Sequence, residues 1–418
     1  MEQKRKKFVV TDFGACSNTQ KIQTKELQQC IDACRKSGGG EVIIPAGTYV
    51  IGSLRLYSNI TLRLKTGAIL LGSKELADYC DFKVPSTIQY LKDPYYKKLW
   101  NLPDYYFYAL ITSYEAENIR IIGEPGSVIN GQDTFDANGE EKFRGPMGII
   151  LSKVNGVHLE GYCFENSANW SHTLDGCQNV VINNVAINNV AIKGGHDGFN
   201  LHHSEEISIS DCRLECGDDC FAGYDIRKMT VEHCYLNTAC NGMRIGGEKL
   251  LFKHCIFSGP GRYPHLSENT YHTHAIFKYY AIRPDNIQKD AQEIKLENCM
   301  IKDADRLFVY DQGKEEMNQN NRPLRDLTLE NVSIAGIRHT SLFKGNGEKA
   351  TLSLKNVTID VDSKEAFLRI DKSIHLDFEQ VDFKNPVIIE VEDSHILQLE
   401  GMTTMKFLVE DELYSDDV

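Results

Sequence analysis

From about residue 118 onward one short phrase of alternating apolar and polar positions keeps returning: NIRIIGE at 118, GVHLEGYCF at 156, NVVINNVAI at 179, EISISDCRL at 206, KMTVEHCYL at 228 and KLLFKHCIF at 249. It continues as EIKLENCMI at 293, DLTLENVSI at 326, TLSLKNVTI at 351 and SIHLDFEQV at 373. Alternation is the mark of a half-buried strand, and each phrase then passes through a small polar or turn-tolerant residue into a second short strand. Between 156 and 373 the starts keep a near-constant step, stretched only from 249 to 293 and from 293 to 326. So short a unit cannot bury its apolar side alone, whereas stacked copies can. Parallel stacked strands need long returns, which this repeat supplies without helices, so the expected fold is all-β: a right-handed parallel β-helix solenoid. A propeller would need longer, four-stranded units.

Ahead of the repeats, TKELQQCIDACRKSGGG puts Leu27, Cys30, Ile31 and Cys34 on one helical face and stops at a glycine run. The predicted N-terminal capping helix would cover the open end of the coil and hide its strand edges. The organisation read from the pattern is one solenoid over 1–418. About 1–45 form the cap, 46–405 the coils with inserts near 74–108 and 259–290, and 406–418 a frayed acidic tail.

Thirteen cysteines, an odd number with no C-x-x-C pair at zinc spacing, point to reduced thiols. Cys212, Cys234, Cys255 and Cys299 hold the place in their phrases that Val185, Val332 and Val357 hold in others, so they read as a buried ladder rather than as metal ligands. The net charge of −13 argues against nonspecific binding to nucleic acid or an anionic membrane. In MEQKRKKFVVTDFG a basic start meets only a short apolar run, so neither a signal peptide nor a membrane anchor is visible and the expected location is cytoplasmic.

Two acidic knots, Gly195-His196-Asp197-Gly198 and Gly217-Asp218-Asp219-Cys220, stand out against the repeat. The step from Asp197 to Asp219 equals the step from Asp219 to Asn241 and matches the repeat, so stacked coils would set the three in a column. Phe199, Phe221 and Met243 follow in the same register as core side chains. Asp218 and Asp219 would face opposite sides of a straight strand, and Gly217 permits the bend that brings them together. Carboxylates on coils roughly 5 Å apart resist joint ionisation, which holds an acid beside a base at neutral pH. That chemistry suits glycosidic hydrolysis, with one group protonating the leaving oxygen and another activating water. Solvated turn aspartates are the bland alternative, and the shared register weighs against it.

At these residues the chain resembles glycoside hydrolase family 28, the polygalacturonase and rhamnogalacturonase family. The two knots above match its Asn-Thr-Asp-Gly and Gly-Asp-Asp motifs, Cys240-Asn241-Gly242 its Gly-His-Gly motif, and Ile276-Phe277-Lys278 its Arg-Ile-Lys segment. FVVTDFGA, GGGEVIIPAGTYVIGSLRLYSNITLRLKTGAILLGS and VINGQ resemble its opening coils. The resemblance covers about residues 8 to 310 and implies an inverting glycosidase acting on pectin-derived oligosaccharides, without a cofactor or metal. It makes Asp218 the general acid, with Asp197 and Asp219 holding the attacking water, and assigns substrate contacts to Lys278 and the altered Asn241 position. The family histidine is Asn241 here and its arginine is Ile276. Arg244 is weighed evenly as a replacement cation or as a structural partner of the aspartates, and His196 and His202 are placed near the substrate. His202 and His203 read as one packed and one exposed ring rather than as a metal pair.

The first insert gathers Tyr90, Tyr95, Tyr96, Trp100, Tyr105, Tyr106 and Phe107, rings suited to sugar faces but more often used for packing or a homo-oligomer contact. The second, GPGRYPHLSENTYHTH, would wall one end of the cleft and favour exo action. The rival readings are a Ca²⁺-dependent β-helix polysaccharide lyase and a non-catalytic glycan-binding solenoid.

Overall fold

The structure is a computed structural model, and it describes residues 6–188, 197–265, 269–313, 321–361, 364–392 and 395–408. His196 and the acidic tail from residue 409 lie outside the described residues.

The repeating phrases become a parallel β-helix. Equivalent residues of successive coils pair directly on a first face, where Val180, Ile207, Met229, Leu250 and Ile294 stack in order. On a second face the same holds for Ile187, Leu214, Leu236, Phe257 and Ile301. Between these two faces each coil turns on a residue with left-handed backbone: Asn184, Asp211, His233, His254, Asn298, Asn331 and Asn356, all with φ between 50° and 55°. Asn, Asp and His tolerate that region better than other side chains, which explains the polar residue that ends each first strand. The next residue points inward, and there Cys212, Cys234, Cys255 and Cys299 are 1–4% exposed. Each of these thiols donates to the carbonyl two residues before it, at 3.2 Å for Cys212 and 3.3 Å for the other three.

A third face, absent from the sequence reading of two strands per phrase, completes each coil and carries the acidic knots. Its inward column is Phe199, Phe221, Met243, Phe277 and Phe308, all buried in the solenoid interior.

Helix Thr24–Lys36 forms where its pattern predicts and buries Leu27, Cys30, Ile31 and Cys34 against the first strands. The coils begin earlier than expected, because Lys7–Val9 pairs with Gly40–Ile44, which in turn pairs with Ile60–Leu64. Residues 40–44 therefore belong to the solenoid and not to the cap. At the other end His395–Phe407 does not coil: it runs antiparallel along Ile374–Val391 and so pairs the last strand edge. The second insert is also divided, since Ala275–Tyr279 is a third-face strand with a loop on either side.

The aromatic insert packs on its own chain. Tyr90, Tyr96 and Tyr106 are each 3–4% exposed and form a second apolar cluster with Met147, Ile150 and Trp170. Helix Pro94–Leu99 within it starts at Asp93, whose carboxylate accepts from the Tyr95 and Tyr96 amides at 3.0 and 3.3 Å. Among the described residues no helix is long and apolar enough to cross a membrane.

Candidate active site

On the third face the equal spacing of the knots becomes one coil. The Gly198 amide donates to the Asp219 carbonyl at 2.8 Å, and the Cys220 amide to the Asn241 carbonyl at 3.0 Å, so Asp197, Asp219 and Asn241 stand in a column. The chain bends at residues 217 and 218. Thr238 Oγ1 holds the bend by donating to the Asp218 carbonyl, and the Asp219 amide donates to Asp218 Oδ1 at 2.9 Å. As a result one carboxyl oxygen from each of Asp197, Asp218 and Asp219 lies within 4.8 Å of the other two.

The three environments differ. Asp197 is 3% exposed and accepts from Asn200 Nδ2 at 2.9 Å. Burial, and then the charges of Asp218 and Asp219, push its carboxyl well above the usual range and so favour its protonated form. Burial acts on Asp218 in the same direction, but His265 Nε2 at 3.6 Å and Arg144 Nη2 at 3.0 Å outweigh it and hold this carboxyl well below the usual range. Asp219 is held from both sides, by Asn241 Nδ2 on Oδ1 and by Arg244 Nε on Oδ2, each at 2.6 Å.

Arg244 thus pairs with Asp219, and its Nη1 also reaches Tyr224 Oη at 3.3 Å and the Tyr280 carbonyl at 3.5 Å. Lys278 lies on the next strand, where Phe277 pairs with Met243, and its Nζ sits 4.8 Å from the centre of the Tyr280 ring. Ile276, at the family's arginine position, is 1% exposed in the apolar interior and offers no charge. His202 is fully buried and stacked on Trp170, with centroids 6.0 Å apart. Burial and then the charges of His203 and Arg244 keep it neutral, and neither ring nitrogen has a hydrogen-bond partner among the described residues. Asn200 Oδ1 and Asn241 Oδ1 are likewise buried with no partner among the described residues. His203 is not the exposed ring the sequence suggested, because its Nδ1 lies 2.8 Å from Thr87 Oγ1 and its Nε2 3.1 Å from Asp225.

Sequence reasoning missed Arg144 and the role of His265. Arg144 has a buried guanidinium between Glu141, at 2.7 Å, and Asp218, and it comes from a loop outside the repeat. The only advance signal was the need of crowded acids for a cation.

Beside the site the two inserts clasp each other. Arg283 pairs with Asp93 through two bonds of 2.6 and 3.0 Å, and Tyr90 Oη donates to Asp285 at 2.6 Å. The Gln89 amide donates to the Pro284 carbonyl at 2.7 Å, and Asn286 Nδ2 to the Thr87 carbonyl at 3.1 Å.

Coil stack and acid cluster together define a parallel β-helix protein with a carboxylate site on one face. Residues 34–249, just over half of the chain, match Glycosyl hydrolases family 28, and the chain belongs to that family. It is 26% identical over 221 residues to a probable polygalacturonase of Vitis vinifera, covering 51% of this chain and 43% of that one. It is 26% identical over 255 residues to an exo-poly-alpha-D-galacturonosidase of Dickeya chrysanthemi, covering 50% of this chain and 40% of the relative. The match therefore spans less than half the length of these curated relatives. The fold agrees with that of a hyperthermoactive exopolygalacturonase from Thermotoga maritima, with a TM-score of 0.66, 16% identity, and 96% of this chain and 95% of that one covered.

Proposed function

We propose that the protein is a glycosidase that cleaves an α-glycosidic bond with inversion, acting from a chain end on galacturonate- or rhamnogalacturonan-type oligosaccharides derived from pectin. The observation that carries this reading is the trio of carboxyls within 4.8 Å of one another, one of them favouring its proton and one its charge. Asp218 is assigned as the general acid, with Asp197 and Asp219 holding the water. Inverting enzymes commonly separate their two carboxyls by about 6.5–9.5 Å, whereas here the nearest oxygens of the three carboxyls lie within 4.8 Å of one another. Inversion is supported instead by the family and by Asp219, whose oxygens are both engaged and so are poorly placed to attack carbon.

In the free protein the surroundings favour the proton on Asp197 and the charge on Asp218, the reverse of what the acid role requires. A uronate carboxylate offers a way round this, because it would draw Arg144 away from Asp218. The freed Asp218 would then take up the proton that Asp197 gives up within the same coupled set. Neutral His202, Asn200 Oδ1 and Asn241 Oδ1 carry hydrogen-bonding capacity that no described residue uses, and Lys278 is a nearby cation. The exo reading takes the clasped inserts as a wall on one side of the substrate site.

All thirteen cysteines are free, which supports a reducing, cytoplasmic setting. Helix Thr24–Lys36 is taken as the solenoid's cap, and the winding as right-handed by the general rule for parallel crossovers.

The deciding experiment follows the anomeric configuration of the first product by NMR on defined α-linked oligogalacturonides, with neutral α-linked oligosaccharides as control. Release of one terminal sugar with an inverted anomeric centre is expected. A retained centre would defeat the mechanism, and internal cleavage would defeat the exo assignment. An unsaturated product whose formation a chelator stops would favour the lyase.

A further inference from the structure

We propose that Asp218, Cys240 and His265 form a binding site for a thiophilic divalent cation of the zinc class, and that occupancy of this site shuts hydrolysis off. Among the described residues, two groups of three metal-capable side chains come within 4.8 Å of one another. One is the carboxylate trio, which is acidic throughout. The other joins a carboxylate, a thiol and an imidazole, a donor set that zinc accepts at about 2.0–2.3 Å per bond. Tetrahedral bonds of that length place neighbouring donors roughly 3.3–3.8 Å apart, and His265 Nε2 already lies 3.6 Å from Asp218 Oδ2.

The three donors come from three separate segments. Asp218 sits on the bend of one coil, Cys240 at the corresponding bend of the next, and His265 on the second insert, with its Nε2 3.6 Å from Asp218. Cys240 is set apart from the Cys212 ladder, whose thiols donate to backbone carbonyls in the coil interior. Its sulfur faces the site, accepting from Asn241 Nδ2 at 3.2 Å, and a contact of this outer kind fixes a ligand's orientation. Binding converts the thiol to a thiolate and releases its proton to solvent, with no change of oxidation state. Three protein ligands leave a fourth position for water. Arg144 must yield part of its hold on Asp218, so affinity should fall below that of a closed structural zinc site.

The shut-off half of the proposal rests on Asp218 being the acid, whereas the binding half does not. Co²⁺ titrated into the reduced full-length protein serves as the probe, read by the thiolate-to-metal absorption that a cobalt–sulfur bond produces. One equivalent should generate the band, Zn²⁺ should displace it, Cys240→Ser should abolish it, and His265→Ala should weaken binding at least tenfold. No band in the unaltered protein, or an undiminished band in Cys240→Ser, would overturn the site. In the activity arm Zn²⁺ should inhibit the unaltered protein and spare Cys240→Ser. A clear band without inhibition would overturn the shut-off and the acid assignment together. Absence of turnover on every sugar, with the band present, would overturn the proposed function alone.

Discussion

Two columns run along this solenoid at nearly the same pitch, and they solve different problems. The thiol column recurs once per coil from Cys212 through Cys234 to Cys255 before the longer step to Cys299, and each member finds an acceptor in the carbonyl two residues before it. The acid column recurs once per coil from Asp197 to Asn241, but stacking carboxyls accumulates charge instead of burying apolar surface. Its compensation comes largely from outside the acids' own strands: Arg144 and His265 from loops, Arg244 from the next coil. Repetition is thus self-sufficient where the column is apolar. Where it is charged, irregular segments must complete it, and there the coil acquires chemistry.

Breaking the acid column should cost far more than breaking the thiol column. The largest expected effect is Asp218→Asn, which should lower turnover by about 10²–10⁴-fold, the usual contribution of a general acid. Far-ultraviolet circular dichroism should stay unchanged, since the side chain is only partly buried. Retained hydrolysis would erase the distinction between the columns. Next comes Arg144→Met. A charge-assisted hydrogen bond is worth about 1.5–3 kcal/mol, so kcat/KM on a uronate substrate should fall about ten- to a hundredfold. A neutral α-linked substrate should lose much less. Equal losses on both would place Arg144 in the support of Asp218 and remove it from substrate recognition.

The same contrast explains how much was legible in the sequence. The first two faces are half-buried, so they alternate, and their turn residues Asn184, Asp211, His233 and His254 recur as markers. The third face was missed because its strands are covered on both sides: Phe199–His202 is buried at all four positions, inside by the core and outside by the insert cluster, and alternation vanishes. Asp197, Asp219 and Asn241 were still found, because register survives where alternation does not. Arg144 and His265 were not, because a loop residue has no register and its partner is set by a tertiary approach between segments far apart in the chain. His202 was placed near the substrate from sequence proximity alone, and the structure gives it a buried, neutral ring whose nitrogens meet no partner among the described residues.

A subtler test lies in the pH dependence of stability. Asp197 binds its proton more tightly when folded, so its contribution is full below the unfolded value of about 3.9 and is lost as the pH rises through the raised folded value. Asp218 runs the other way: its contribution is present above about 3.9 and is lost as the pH falls through the depressed folded value. Asp197→Asn keeps the neutral form at every pH, so melting temperatures across pH 4 to 8 should decline less toward neutrality than in the unaltered protein. Asp218→Asn should instead flatten the acid limb. If Asp197→Asn leaves the profile untouched, the proton does not rest where the burial of that carboxyl places it.

The smallest expected effect belongs to the thiol column and sharpens the comparison from the other side. Cys234 is 2% exposed, its thiol donates to the Glu232 carbonyl at 3.3 Å, and valine occupies the equivalent place at Val332 and Val357. A thiol is a weak donor and its carbonyl partner is already a strand acceptor, so replacing it with a slightly larger apolar group exchanges a weak bond for added contact. Volume-conserving changes of this kind usually cost less than about 1.5 kcal/mol. Cys234→Val should stay within that limit in urea unfolding, with turnover unchanged. A larger loss would mean that the thiols stabilise the stack as a linked chain of sulfur contacts, and the apolar column would then be as cooperative as the charged one.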